Sequence, residues 1–305
     1  MEEEFLSDRA SACLLGLAVG EAMGLPVDGM TTYEILGKFG RIEGFFRGSS
    51  GVPGDYGAEA IAVGTVSAAI IDAKSIPNLK MLVESVLATP HGEGSARLLF
   101  SVLVPISLSL RMVKAGEGDL AKICKEVAAE MGLSKNDALA AYAFSLLLGE
   151  VFVNSSSLAT PYELYESEKS LIARIADFCA KAEASVGVSP KDSLYERLSF
   201  AKKKLSGKFW DTPKFFGVLG QKPTATDAMT RAAYAFLRMP DDFASACDTA
   251  SLGGLASVNA ALVGCLVGAY GGMSRVPKHL VDNVKNGPKI EAIGRRLVKA
   301  CLKKG

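Results

Sequence analysis

Two stretches near opposite ends of the sequence carry glycine at every fourth position: Gly16, Gly20 and Gly24, then Gly264, Gly268 and Gly272. That spacing puts each set along one face of an α-helix, where the missing side chains let another helix backbone approach closely. Each glycine costs a helix about 1 kcal/mol relative to alanine. Tight packing, or a ligand held near the backbone, has to offset that cost, so both stretches are expected in a packed interior. The second stretch lies within Thr249 to Ser274, 26 residues without a charge, long enough to cross a bilayer. Its six glycines, with Ser251, Ser257 and Asn259, dilute its hydrophobicity and favour a buried core helix over a membrane span.

Helical periodicity continues through the rest of the chain. Ser7 reads as the N-cap of a helix from Asp8 to Leu25 that Pro26 stops. Further helices are expected over 59–73, 80–88, 96–114, 119–131, 138–153 (after a cap at Ser134 to Asp137), 162–184, 190–205, 227–238, 241–250, 255–271 and 290–303. Runs of alternating β-branched residues are missing, so the expected fold class is all-α, a single domain over residues 1–305. The glycine-rich segments 28–58 and 207–226 exceed the usual length of a connection, which marks function more often than a passive link.

Composition narrows the function. Thirty-four basic and 33 acidic residues leave a net charge of +1, which gives no electrostatic case for nucleic acid or an anionic membrane as partner. The six cysteines are scattered without a C-x-x-C pair, so reduced, buried thiols and a cytoplasmic setting are expected. Two histidines are too few for a histidine-rich metal site, and the acidic start, Met1-Glu-Glu-Glu, is unlike a signal peptide.

The ordered motifs go further. Arg9-Ala-Ser-Ala-Cys-Leu-Leu-Gly-Leu-Ala-Val-Gly-Glu-Ala-Met-Gly-Leu-Pro-Val-Asp28 opens the chain, and Gly253-Gly-Leu-Ala-Ser-Val-Asn-Ala-Ala-Leu-Val-Gly-Cys-Leu-Val-Gly-Ala-Tyr-Gly lies near its end. Between them stands Gly92-Glu-Gly-Ser-Ala-Arg97, followed by Pro105, and Val276-Pro277 comes after. In order and spacing, over nearly the whole chain, these segments resemble the ADP-ribosylglycohydrolase family, which includes the dinitrogenase-reductase-activating glycohydrolases. The resemblance implies that family's helical fold, and hydrolysis of an N- or O-glycosidic bond at C1 of ADP-ribose with two divalent cations, magnesium or manganese. It also implies two ligand clusters, a Thr-Asp-Asp-Thr helix start and an Asp-Thr-Asp-Thr after the double glycine.

Those clusters are what this sequence has lost. The first reads Gly57-Ala58-Glu59-Ala60 and the second Leu255-Ala256-Ser257-Val258, so of four expected aspartates only the Glu59 position keeps a carboxylate. Two hard cations need converging oxygens and negative charge, whereas Leu255 and Val258 supply apolar atoms. No metal cofactor is therefore expected, apart from a minor one-metal alternative built from Asp55, Glu59 and Glu21. The carboxylates near the expected cleft, Glu21, Asp28, Glu59 and Glu93, are the acid/base candidates. Asp55, Gly92, Gly94, Ser95, Gly253, Gly254, Ser257 and Tyr270 are the candidate ligand-binding residues. Three readings stay open: a degenerate member that binds ADP-ribose, a nucleotide-like small molecule or a partner; a hydrolase with a rearranged carboxylate pair; and a scaffold without a small-molecule site.

Overall fold

The structure is a computed structural model that describes residues 2–46, 54–89, 96–154, 157–186, 192–206, 219–220 and 222–303. All regular secondary structure among these residues is helical. The first helix, α1 (Glu2–Gly24), starts well before Ser7, which is therefore inside a helix and caps nothing. Three glutamates in its first turn, Glu2, Glu3 and Glu4, complement the helix dipole there. Then come α2 (Thr32–Lys38), α3 (Ala58–Ala73), α4 (Leu79–Leu87), α5 (Ala96–Met112), α6 (Glu117–Glu130) and α7 (Lys135–Asn154). The second half holds α8 (Leu171–Val186), α9 (Leu194–Leu205), α10 (Ala225–Arg238), α11 (Phe243–Ser251), α12 (Ala256–Gly271), α13 (Lys278–Asn283) and α14 (Gly287–Leu302).

The sequence pattern found most of these, and the differences have local causes. Ser134 does cap α7: its hydroxyl accepts from the Asp137 amide at 3.1 Å, and Asp137 returns a bond to the Ser134 amide at 3.2 Å. Helix α2 lies inside a segment read as irregular, although Thr31 and Glu34 form a complete capping box at its start. The helix expected over 162–184 is two pieces, a π turn over Tyr162–Glu166 and then α8.

Helices α1 and α12 form the central antiparallel pair, which is what the two glycine stripes encode. A methyl group on Gly16, Gly20 or Gly24 would overlap the carbonyl of Gly264, Ala260 or Ala256 respectively. On the other side, one on Gly264 or Gly268 would overlap the carbonyl of Gly16 or Ala12. Gly272 is not part of this seam, because it ends α12 with φ 72°. Arg9 donates to the carbonyls of Ala269 and Tyr270, so its charge sits on carbonyls of the last turn of α12. Around the pair, α14 packs on α1, α11 and α10 pack on α12, α3 and α7 also reach the pair, and α5 packs between α3 and α7. Helices Glu2–Val27 and Lys135–Asn154 are long and apolar enough to cross a membrane, and 89% and 61% of their most apolar windows are buried in this core.

Gly64, in the middle of α3, differs from the seam glycines because nothing lies within 4 Å of where its β-carbon would be. Gly64→Ala is expected to stabilise the protein by about 0.5–1 kcal/mol through helix propensity alone. The midpoint of a urea unfolding curve reads this out, and a lower midpoint would show that this face of α3 carries a contact.

Candidate functional site

Four helix ends meet at one place. Glu21 lies in the last turn of α1, Asp28 follows the Leu25–Val27 turn, and Glu59, Arg97 and Ser257 are each the second residue of α3, α5 and α12. The guanidinium of Arg97 is the hub. It contacts Asp28 Oδ2 at 2.7 Å through Nη1 and Glu59 Oε1 at 3.1 Å through Nε, and its Nη2 donates to Ser257 Oγ at 2.7 Å. Asp28 uses its other oxygen to accept from the Ser257 amide at 3.2 Å, which ties the α1 exit to the α12 start.

Glu21 lies behind this layer and is fully buried. It accepts from the amides of Glu59 at 3.2 Å and Ala60 at 2.8 Å, so a side chain of α1 satisfies the free N–H groups that begin α3. The Glu59 side chain is its charged neighbour. Burial holds the Glu21 carboxyl well above the usual carboxylate range, and the charge of Glu59 adds to this; the two amides offset only part. Burial works against the charge of Arg97, but Glu59 and Asp28 outweigh it and hold the guanidinium above its ordinary value.

The charges nearly close. Asp28, Glu59 and Arg97 together leave one negative charge, and the N-termini of α3, α5 and α12 each contribute roughly half a positive charge. The oxygens present do not fit two divalent cations. Those of Glu21 face backbone amides, those of Asp28 face Arg97 and Ser257, and Glu59 gives one to Arg97. Among the described residues, no group of three or more His, Cys, Asp and Glu side chains is placed to hold a metal ion. Asp55 is not part of the cluster, because it pairs with Lys285 at 2.9 Å, so the Asp55–Glu59–Glu21 set is not assembled. Val258 is buried in the core.

The other expected residues divide. Gly253 and Gly254 have φ of 106° and 71°, and this left-handed turn leads from α11 into α12. Its carbonyls accept from Asn259 Nδ2 at 3.2 Å and from the Gly29 amide at 3.3 Å, so the turn also holds the loop carrying Asp28. Just before it, the Leu252 carbonyl accepts from Thr32 Oγ1 at 2.8 Å and from the buried Arg231 at 2.9 Å. Tyr270 lies thirteen residues beyond Ser257 on α12, about 20 Å along the helix. There its hydroxyl bonds the Leu158 carbonyl at 3.1 Å and its ring packs edge-on against Phe236, which keeps it apart from the cluster. Gly92, Glu93, Gly94 and Ser95 lie outside the described residues. Arg97 was missed as a site residue, although it stands in the quoted Gly92-to-Arg97 segment. Two surviving carboxylates, with the metal-binding aspartates gone, require a cation, and Arg97 is the nearest one in that motif.

A sequence profile of the ADP-ribosylglycohydrolase family matches residues 91–305. The chain belongs to this family. Its fold agrees: a solved structure described as an ADP-ribosylglycohydrolase-related protein complex aligns with a TM-score of 0.66 at 19% identity, covering 98% of this chain and 99% of that one. An uncharacterized protein of Archaeoglobus fulgidus is 24% identical, covering 97% of this chain and 96% of its own length. Within the family, this chain's cluster carries a guanidinium between Asp28 and Glu59.

The Glu21–Glu59 pair makes a pH prediction. The folded-state pKa of Glu21 is raised above the ordinary 4.5, so the native protein holds a proton that the unfolded chain releases. That contribution is complete below about pH 4.5 and is lost as pH rises towards the folded-state value. Glu21→Gln removes the titration, so its stability should fall less between pH 5 and pH 8 than that of the parent. Chemical unfolding across that range tests this, and parallel curves would place the proton elsewhere.

Proposed function

We propose that this chain is a non-hydrolytic ADP-ribosylglycohydrolase-like protein that binds an ADP-ribose-like or other nucleotide-like small molecule without a metal ion. One observation carries the reading: Arg97 holds Asp28, Glu59 and Ser257 together as a tethered cation. A fixed guanidinium satisfies the charge that divalent ions would satisfy, yet it offers no open coordination position and no acidified water for attack on C1.

The rearranged hydrolase draws less support. Glycosidases of either stereochemistry keep their two carboxyls about 5–9.5 Å apart, leaving room for the sugar and for water. Glu21 and Glu59 are both buried, the Glu21 oxygens accept from backbone amides, and Arg97 holds Glu59 and Asp28.

Titration calorimetry with ADP-ribose, in magnesium and again in EDTA, tests the proposal, together with an assay for ADP-ribose release from ADP-ribosylated substrates. Equal binding in both buffers and no release are expected. Binding that needs magnesium, or turnover in either buffer, would overturn it.

A further inference from the structure

We propose that Cys13 and Cys265 are the two halves of a disulfide that staples α1 to α12. Their sulfurs are 3.1 Å apart. Non-bonded heavy atoms pack at about 3.5–4.0 Å, and sulfur is larger than carbon, so this pair is closer than ordinary contact. A bond of about 2.05 Å requires the sulfurs to approach by roughly 1 Å more. The backbone contacts of Gly16 with Gly264 and of Ala12 with Gly268 flank the pair, so the two helices are packed backbone to backbone on either side of the sulfurs. Other buried thiols meet oxygen: Cys124 faces Ser145 and Cys247 faces the Ala260 carbonyl.

All six cysteines are buried and none is in a disulfide in this structure, so forming the bond needs an oxidant. A small-molecule disulfide such as oxidised glutathione supplies it by exchange. The Cys13 thiolate attacks one glutathione sulfur and releases the first thiolate. Cys265, having lost its proton to solvent, then attacks the Cys13 sulfur of the mixed disulfide and releases the second. Two electrons pass to glutathione and one S–S bond replaces another. Both cysteines have no exposed surface, so the exchange belongs to the open chain, before α1 docks on α12. Once formed, the bond fixes the helix that carries Glu21 against the helix that carries Ser257.

The test is to refold the reduced chain with oxidised glutathione, remove excess reagent, and count alkylatable thiols under denaturing conditions. Four of the six should react, with Cys13 and Cys265 recovered in one cross-linked peptide. The thermal midpoint should fall by about 5–15 °C when the bond is reduced. Protein purified from cells without reductant provides the same count if refolding fails. Cys13→Ser should leave five thiols reactive. Six reactive thiols in the parent, pairing of any other cysteines, or a midpoint that ignores reduction would each overturn the proposal.

Discussion

Replacing Arg97 with methionine is expected to destabilise the protein by about 3–5 kcal/mol. This is the cost typical of removing one partner from a buried ion pair. Methionine keeps much of the volume and removes the charge, leaving Glu59 buried and Asp28 partly buried without a cation. The size of the loss should therefore depend on those carboxylates. Adding Glu59→Gln to Arg97→Met should recover at least half of it, and a double-mutant cycle measures the coupling directly. A smaller variant, Arg97→Ala, opens a hole with the shape and charge of a guanidinium. Millimolar guanidinium should raise its thermal midpoint, with equal sodium as the control. Additive losses in the cycle, with no rescue, would show that Arg97 acts through packing and not as the cation of the cluster.

The glycine seam is expected to be equally unforgiving. Gly20→Val should cost more than about 3 kcal/mol, because its β-carbon would overlap the Ala260 carbonyl and only movement of a whole helix relieves the clash. The obstacle is backbone, so no neighbouring side chain can rotate away. Gly20→Ala should cost less than Gly20→Val but remain destabilising, opposite in sign to Gly64→Ala in α3. Urea unfolding of the three variants separates steric exclusion from helix propensity. If Gly20→Ala proved neutral, the two helices would not touch there.

The same glycines show what was legible in the sequence and what was not. Spacing alone gave two helices with bare faces, and their order gave the family. That each stripe is the partner of the other was not readable, because pairing across more than 230 residues leaves no local signal. Helix α2 went unread for another reason: at seven residues it is too short to show a helical period, and its one clear sign is the Thr31–Glu34 capping box. At the site, the lost aspartates were plain from aligned motifs, since each is a substitution at a fixed position. Arg97 was not, since its meaning depends on three partners at positions 28, 59 and 257, from three different helix ends. Asp55 and Tyr270 were near in motif terms but not in space. Asp55 is held by Lys285, and Tyr270 is carried to the far end of α12 by the helix rise.

The α1–α12 seam also sets a schedule for the chain during its synthesis. Gly24 and its partner Ala256 are separated by 232 positions, so α1 emerges from the ribosome long before its binding surface exists. At about 5–20 residues per second, that interval is on the order of 10–50 s. For that time an apolar helix with 16 residues destined for burial has no permanent place to go. Its charged residues are gathered in its first turns, at Glu2, Glu3, Glu4, Asp8 and Arg9, with Glu21 near its other end. Shortening the wait by circular permutation, with α12 placed ahead of α1, should raise the yield of soluble protein without changing a single contact in the finished fold.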